Sequence, residues 1–79
     1  MGIKIDKKAV YSMRYPKGTV IELTAPIEDK FSPKPAGARF VVDYIDDRLQ
    51  LHGSWLEPQS GSIAVIIEED SFKIVDASE

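Results

Sequence analysis

The stretch that decides the fold is residues 38–52, Ala-Arg-Phe-Val-Val-Asp-Tyr-Ile-Asp-Asp-Arg-Leu-Gln-Leu-His. Residues 38–45 are rich in β-branched and aromatic side chains, which favours a strand. Asp46 and Asp47 then form a tight turn, and residues 49–52 alternate apolar and polar side chains, as a half-buried strand does. Two such runs joined by a short polar turn predict a β-hairpin.

A further strand is predicted on the N-terminal side of this hairpin. Residues 19–24 alternate, with Ile21 and Leu23 on one face, so they read as a half-buried strand. Residues 25–37 contain three prolines, which remove ladder donors and restrict the backbone. We therefore expect an ordered, stiff loop between this strand and the hairpin.

Two more strands are predicted on the C-terminal side. Gly53 and Ser54 allow a bend or bulge before Trp55. Residues 62–67 and 71–75 are apolar runs bounded by turn-forming residues, so each predicts a strand. In the last strand we expect its two large apolar residues to face inward, namely Phe72 and Ile74.

The fold class that follows is mainly β. Five short strands with a long loop after the first predict a small five-stranded antiparallel barrel of the Src-homology-3-like type. Residues 1–14 form a separate N-terminal segment, in which Asp6 can cap a short helix over residues 7–14. A stub of strand at residues 3–6 is the alternative. The barrel domain spans residues 15–75, and residues 76–79 should fray.

Composition excludes several classes of protein. The chain has 79 residues, no cysteine and one histidine, which excludes a disulfide framework, a thiolate metal site and a cysteine nucleophile. No nucleophile stands with a base and no Gly-rich phosphate loop is present, so we expect no enzyme activity, no cofactor and no metal. The longest apolar run, residues 63–67, is too short for a membrane helix, and no secretory signal is visible. We therefore expect a cytoplasmic protein.

Short motifs between Tyr15 and Val75 resemble a known family in order and spacing. They are Tyr15-Pro16-Lys17-Gly18-Thr19, the loop from Glu28 to Gly37, Ile45-Asp46-Asp47, Trp55, Gly61-Ser62 and Asp70-Ser71-Phe72. In these motifs the chain is similar to the bacterial family called domain of unknown function 4314. The resemblance implies a small β-barrel and a mobile-element or phage setting, and it implies no reaction.

Aromatic side chains at loop ends are the candidate binding residues. Tyr15, Phe31 and Trp55 are expected at one end of the barrel, where a base or a peptide could stack. Four cations could hold an anion beside them, namely Arg14, Lys17, Lys34 and Arg39. The alternative is that Trp55 plugs the barrel end and Tyr15 covers it.

The fourth strand suggests self-association. Its residues are apolar on both faces, whereas a barrel wall has only one inner face, so Ile66 with Val20 or Val41 would be exposed to water. Either the N-terminal segment covers this patch through Ile3, Ile5, Val10 and Met13, or a second copy does. We expect a homodimer or a larger assembly.

The first function that we infer is a non-catalytic binding module that engages a protein partner. An alternative is a phage-type protein that sequesters an anionic, nucleotide-like ligand without turnover. A second alternative is nucleic-acid binding, because residues 1–40 hold eight basic and four acidic residues while residues 41–79 hold two and nine. The net charge of −3 makes nucleic acid the weaker of these partners.

Overall fold

The computed structural model describes residues 6–75 and contains one helix and five strands there. They are α1 (Lys7–Arg14), β1 (Val20–Leu23), β2 (Arg39–Ile45), β3 (Gln50–Trp55), β4 (Val65–Ile66) and β5 (Phe72–Val75). All five strands belong to one antiparallel sheet in the order β4-β3-β2-β1-β5. The mainly β prediction is confirmed. The expectations for residues 1–5 and 76–79 lie outside the described part of the chain.

Helix α1 begins and ends where the sequence predicts. The Asp6 side chain accepts a hydrogen bond from the Ala9 backbone N–H at 3.2 Å, which satisfies one free donor of the first turn. At the other end the Tyr15 N–H donates to the Tyr11 carbonyl at 2.8 Å. Pro16 follows, and a residue before proline is disfavoured in helical geometry, so the helix stops there.

Polar contacts attach α1 to the sheet at two turns. Glu68, after β4, accepts hydrogen bonds from Lys7 Nζ and from the Tyr11 hydroxyl, both at 3.2 Å. Lys8 Nζ lies 2.7 Å from Asp47 Oδ1, in the turn between β2 and β3. These groups are exposed, so each pair contributes little to stability. Together they set where the helix lies.

The Asp46 carboxylate stabilises the turn of the β2–β3 hairpin. Its Oδ1 accepts hydrogen bonds from the backbone N–H groups of Arg48 at 2.9 Å and Gln50 at 3.0 Å. Leu49 adopts a left-handed conformation with φ of 62° to complete the reversal. An aspartate that holds its own turn in this way is a common local device, and it explains why the predicted hairpin forms here.

Gly53 is required by a close approach between β2 and β3. The register shifts between Val42 and Tyr44, so β2 contains a bulge at Asp43, next to the Gly53 pairing. A Cβ built on Gly53 would lie 1.9 Å from the Val41 carbonyl oxygen. The sequence locates this irregularity correctly at Gly53, although the extra residue lies in the partner strand.

The core lies on one face of the sheet. Nine apolar side chains are buried there, namely Ile21, Leu23, Ala38, Phe40, Val42, Ile45, Leu51, Trp55 and Val65. Ile21 and Leu23 face inward as predicted. Phe72 and Ile74 share that face because they pair with Leu23 and Ile21. Ile74 thus faces inward as predicted, although it remains 52% exposed on the edge strand β5.

Strand β4 is much shorter than predicted. Only Val65 and Ile66 pair with β3, whereas alternation predicted a strand over residues 62–67. The Ile63 carbonyl instead accepts a hydrogen bond from Trp55 Nε1 at 3.1 Å. The sequence pattern therefore identified the apolar segment correctly. At the start of that segment, however, the Ile63 carbonyl accepts from a side chain and not from a neighbouring strand.

The sheet does not close into a barrel. In a flat five-stranded sheet the edge strands would lie about 19 Å apart. Here the edges β4 and β5 are joined by residues 67–71, and the Asp70 N–H donates to the Ile66 carbonyl at 2.8 Å in a compact turn. This connection does not bring the edges into contact, because no Cα atom of β4 lies within 8 Å of one of β5. Within residues 6–75 no ladder pairs β4 with β5, so the sheet is open.

Replacing Gly53 by alanine should destabilise the hairpin, because the new Cβ would clash with the Val41 backbone. We expect the free energy of unfolding to fall by about 2 kcal/mol or more. Urea denaturation followed by circular dichroism measures this loss. The matched control is Ser54→Ala at the next, exposed position, which should change stability by less than about 0.5 kcal/mol. Equal midpoints for both variants would contradict the close approach.

Candidate binding site

The proline loop, residues 25–37, is ordered by its own hydrogen bonds. Ile27 and Lys34 form an antiparallel bridge with N···O distances of 2.8 and 2.9 Å. Between them, Asp29 Oδ1 accepts from the N–H groups of Phe31 and Ser32, both at 2.8 Å. The loop is thus fixed without being a regular strand, as the prolines predict.

This ordered loop presents Phe31 to solvent. Its side chain is 87% exposed, the highest value among the large apolar residues of the described chain. Lys30 Nζ lies 5.7 Å from the centre of its ring, a cation–π contact. An aromatic side chain held outward on a fixed backbone has little conformational freedom to lose on binding.

A groove adjoins the proline loop. It has a volume of about 440 Å³ and is lined by residues 35–39 and 56–59. The Leu56 N–H donates to the Arg39 carbonyl at 2.9 Å, which ties its two sides together. The lining is about equally polar and apolar, and Arg39 and Glu57 supply opposite charges. The groove can therefore accept an extended chain that carries both apolar and polar groups.

Trp55 does not line an open groove. It is 7% exposed, and its ring meets Phe40 edge-on with 4.9 Å between centroids. Lys34 Nζ lies 5.4 Å from the ring centre. These contacts correct the expectation that Trp55 offers an open stacking face, and they match the alternative in which Trp55 plugs the fold. Trp55 is part of the apolar core, and its N–H donates to the Ile63 carbonyl, so the buried indole has its polar atom satisfied.

Tyr15 belongs to a different cluster from Phe31. Its ring stacks on Tyr11 with centroids 6.3 Å apart and meets Phe72 edge-on at 5.5 Å. It also lines a shallower depression of about 230 Å³ together with Lys17. The predicted groove built from all three aromatic residues is therefore not assembled.

The four predicted cations are also separated. Arg14 is exposed at the end of α1, and Lys17 Nζ lies 3.5 Å from Asp43 Oδ1. Arg39 lines the groove while its Nε donates to Glu22 Oε1 at 3.0 Å. Lys34 is only 4% exposed. Of the proposed anion-holding set, only Arg39 lines the groove.

The predicted self-association residues are brought together in part. Val20 pairs with both Val41 and Val75, so three partly buried valines form a row across the outer face of β5, β1 and β2. Ile66 pairs instead with Gln50 on the β3–β4 side of the sheet. The outer apolar surface therefore consists of this valine row, with Ile66 apart from it.

His52 and the nearby carboxylates organise the hairpin turn. His52 Nε2 lies 2.7 Å from Asp46 Oδ2, and its ring stacks on Tyr44 with centroids 4.7 Å apart. The hydrogen bond from His52, followed by that from the Gln50 N–H, holds the pKa of Asp46 below its ordinary value. Over residues 6–75, no group of three or more His, Asp or Glu side chains is arranged to hold a metal ion.

Two features of the site escaped sequence reasoning. Residues 56–59 form one wall of the groove, although the run after Trp55 gives no periodic signal. The burial of Lys34 was also missed, because lysine is almost never fully buried without a charged partner. The available signal for the groove was Pro58, whose turn follows the end of a strand.

In the described part of the chain, no helix has the length and apolar character needed to cross a membrane.

Comparison with known proteins gives one match. The sequence profile of the family described as Domain of unknown function (DUF4314) matches residues 7–75. No curated protein and no solved structure matches the chain. The matched span contains α1, all five strands and the groove.

Proposed function

This chain belongs to the family described as Domain of unknown function (DUF4314), and on that premise we propose that it is a non-catalytic binding module. Its partner is a protein, of which it binds an extended segment in the groove of residues 35–39 and 56–59. Phe31 inserts into an apolar pocket of the same partner. The observation that carries this proposal is the 87% exposure of Phe31 on a loop fixed by Asp29.

Preorganisation supports this role for Phe31. Aromatic anchors supply much of the binding energy at protein interfaces. Ordering a loop upon binding would reduce that energy, but here the Ile27–Lys34 bridge and the Asp29 carboxylate order it beforehand. The charges of Arg39 and Glu57 on the groove lining can fix the direction in which a peptide lies.

Nucleotide and nucleic-acid binding receive less support. Trp55 packs against Phe40 and under Lys34, so it offers no open stacking face to a base. Four basic side chains of the first half are paired with carboxylates, which weakens the field that a nucleic acid would meet. These pairs are Lys7–Glu68, Lys8–Asp47, Lys17–Asp43 and Arg39–Glu22.

The setting that we propose is the cytoplasm of a bacterial cell that carries a phage or another mobile element. The motifs between residues 15 and 75 that resemble the family support the mobile-element part. A sequence without cysteine fits a reducing compartment.

The peptide proposal is tested by selecting binders from a displayed library of random peptides on the immobilised full chain. We expect Phe31→Ala and Arg39→Ala each to weaken the selected peptides about tenfold or more, measured by fluorescence anisotropy. Met13→Ala is the matched control, because Met13 is 84% exposed on α1, away from the groove. Failure to select any peptide, or equal affinities for all variants, would contradict the proposal.

Self-association is a second proposal, carried by the valine row. Val20, Val41 and Val75 lie side by side on the outer face of the sheet. A second copy could bury this row, with the neighbouring ion pairs from Glu22 to Arg39 and Lys73 at its border.

Sedimentation velocity at micromolar concentration should show a species heavier than 8.8 kDa. Val41→Thr keeps the β-branched shape and should shift the distribution towards the monomer, because it places a hydroxyl in the apolar row. Ile66→Thr, outside the row, should leave the distribution unchanged. A single 8.8 kDa species for the wild type would rule out self-association.

A further inference from the structure

Lys34 is a buried cation with few partners. The residue is 4% exposed, and its Nζ donates one hydrogen bond, to Ser32 Oγ at 2.7 Å. The other neighbour is the face of Trp55, 5.4 Å from Nζ to the ring centre. No ion pair within residues 6–75 includes Lys34. An ammonium has three donors, and burying its charge without an anion is costly.

The backbone of Gly61 also lies close to this ammonium. A Cβ built on Gly61 would lie 3.7 Å from Lys34 Nζ and 3.1 Å from Ser32 Oγ. Gly61 itself is exposed, as are Ser60 and Ser62 on either side. This exposed Ser-Gly-Ser segment therefore lies between the ammonium and solvent.

The same segment carries free donors. Within the described residues, the N–H groups of Ser60, Gly61 and Ser62 donate no hydrogen bond to the backbone or to a side chain. Gly61 has φ of 98°. Turns that contain such a left-handed residue can direct successive N–H groups at one anion.

Ser32 completes a set of donors. Its hydroxyl oxygen accepts from Lys34, so its own proton remains available to an acceptor. The Ser32 N–H donates to Asp29 Oδ1. This hydrogen bond fixes the position of Ser32 and occupies one oxygen of the nearby carboxylate. The Lys34 ammonium, the Ser32 hydroxyl and the backbone of Gly61 are thus neighbours.

We propose that Lys34, Ser32 and the Ser60–Gly61–Ser62 segment form a subsite for one phosphate group. Lys34 supplies the charge, and the hydroxyl and N–H groups bind the phosphate oxygens. The subsite goes beyond the peptide groove, and it does not require Phe31 or Arg39. The phosphate is either free or carried by a phosphorylated serine of the partner, since both present the same oxygens.

The test is a titration of the ¹⁵N-labelled full chain with sodium phosphate, at an ionic strength held constant with sodium chloride. We expect saturable NMR shifts of the amides of Ser32 and residues 60–62. Lys34→Met keeps the length of the side chain and removes the charge, so it should weaken phosphate binding tenfold or more. Lys30→Met is the matched control in the same loop and should titrate like the wild type.

Ser32→Ala provides a second variant in case Lys34→Met does not fold, and it should also weaken phosphate binding. A parallel titration with N-acetyl-phosphoserine amide distinguishes the sources. Tighter binding of this compound than of inorganic phosphate assigns the subsite to a phosphorylated partner, whereas equal or weaker binding assigns it to free phosphate.

Absence of saturable shifts at residues 60–62, or the same phosphate titration in Lys34→Met and the wild type, would overturn the proposal. Shifts that sodium chloride alone reproduces would overturn it as well, because they report screening. The peptide groove is independent of these results, since Phe31→Ala and Arg39→Ala should leave the phosphate titration unchanged.

Discussion

The packing of Trp55 is the interaction on which the rest of this structure depends. Trp55 ends β3, and its ring meets Phe40 at the start of β2, so it secures the open end of the hairpin. Its Nε1 holds the Ile63 carbonyl, which places the segment before β4. Lys34 lies over the ring, which connects the proline loop to the same point. One side chain therefore joins three stretches that are far apart in sequence.

This arrangement separates the structural role of Trp55 from the recognition role that we propose for Phe31. The indole that holds the loops is enclosed and has no open face for a ligand. The same contacts leave the tip of the proline loop outside, so Phe31 is exposed while its backbone stays fixed. They also bring Lys34 beneath the Ser-Gly-Ser segment, where its charge has no anionic partner in the described chain. The recognition that we propose thus depends on loops whose positions the core determines.

Local signals predicted the elements that local interactions build. Asp6 with Pro16 delimits α1, and alternation assigned the buried faces of β1 and the hairpin correctly. Such features depend on residues that are close in sequence. The bulge could be located at Gly53 for the same reason, since glycine marks a close approach of two backbones.

Contacts between segments that are separate in sequence explain what the sequence could not predict. The length of β4 depends on whether Ile63 pairs with a strand or with Trp55, and alternation does not distinguish the two. The exposure of Ile74 follows from its place on the edge strand β5, which the sequence does not reveal. The groove combines residues 35–39 with residues 56–59, two segments that only the hairpin brings together. The groove could therefore be located only from the folded structure. The prediction that Phe31 binds a partner, in contrast, could be made from the sequence of the proline loop alone.

The central claim is that Trp55 holds the fold together while Phe31 does not. The most direct measurement is the free energy of unfolding of Trp55→Phe and Phe31→Ala in urea, followed by far-ultraviolet circular dichroism. Trp55→Phe loses the hydrogen bond to Ile63 and leaves a cavity, so we predict a loss of about 1–3 kcal/mol. Phe31→Ala should change stability by less than about 0.5 kcal/mol. Equal stability of Trp55→Phe and the wild type would contradict the account.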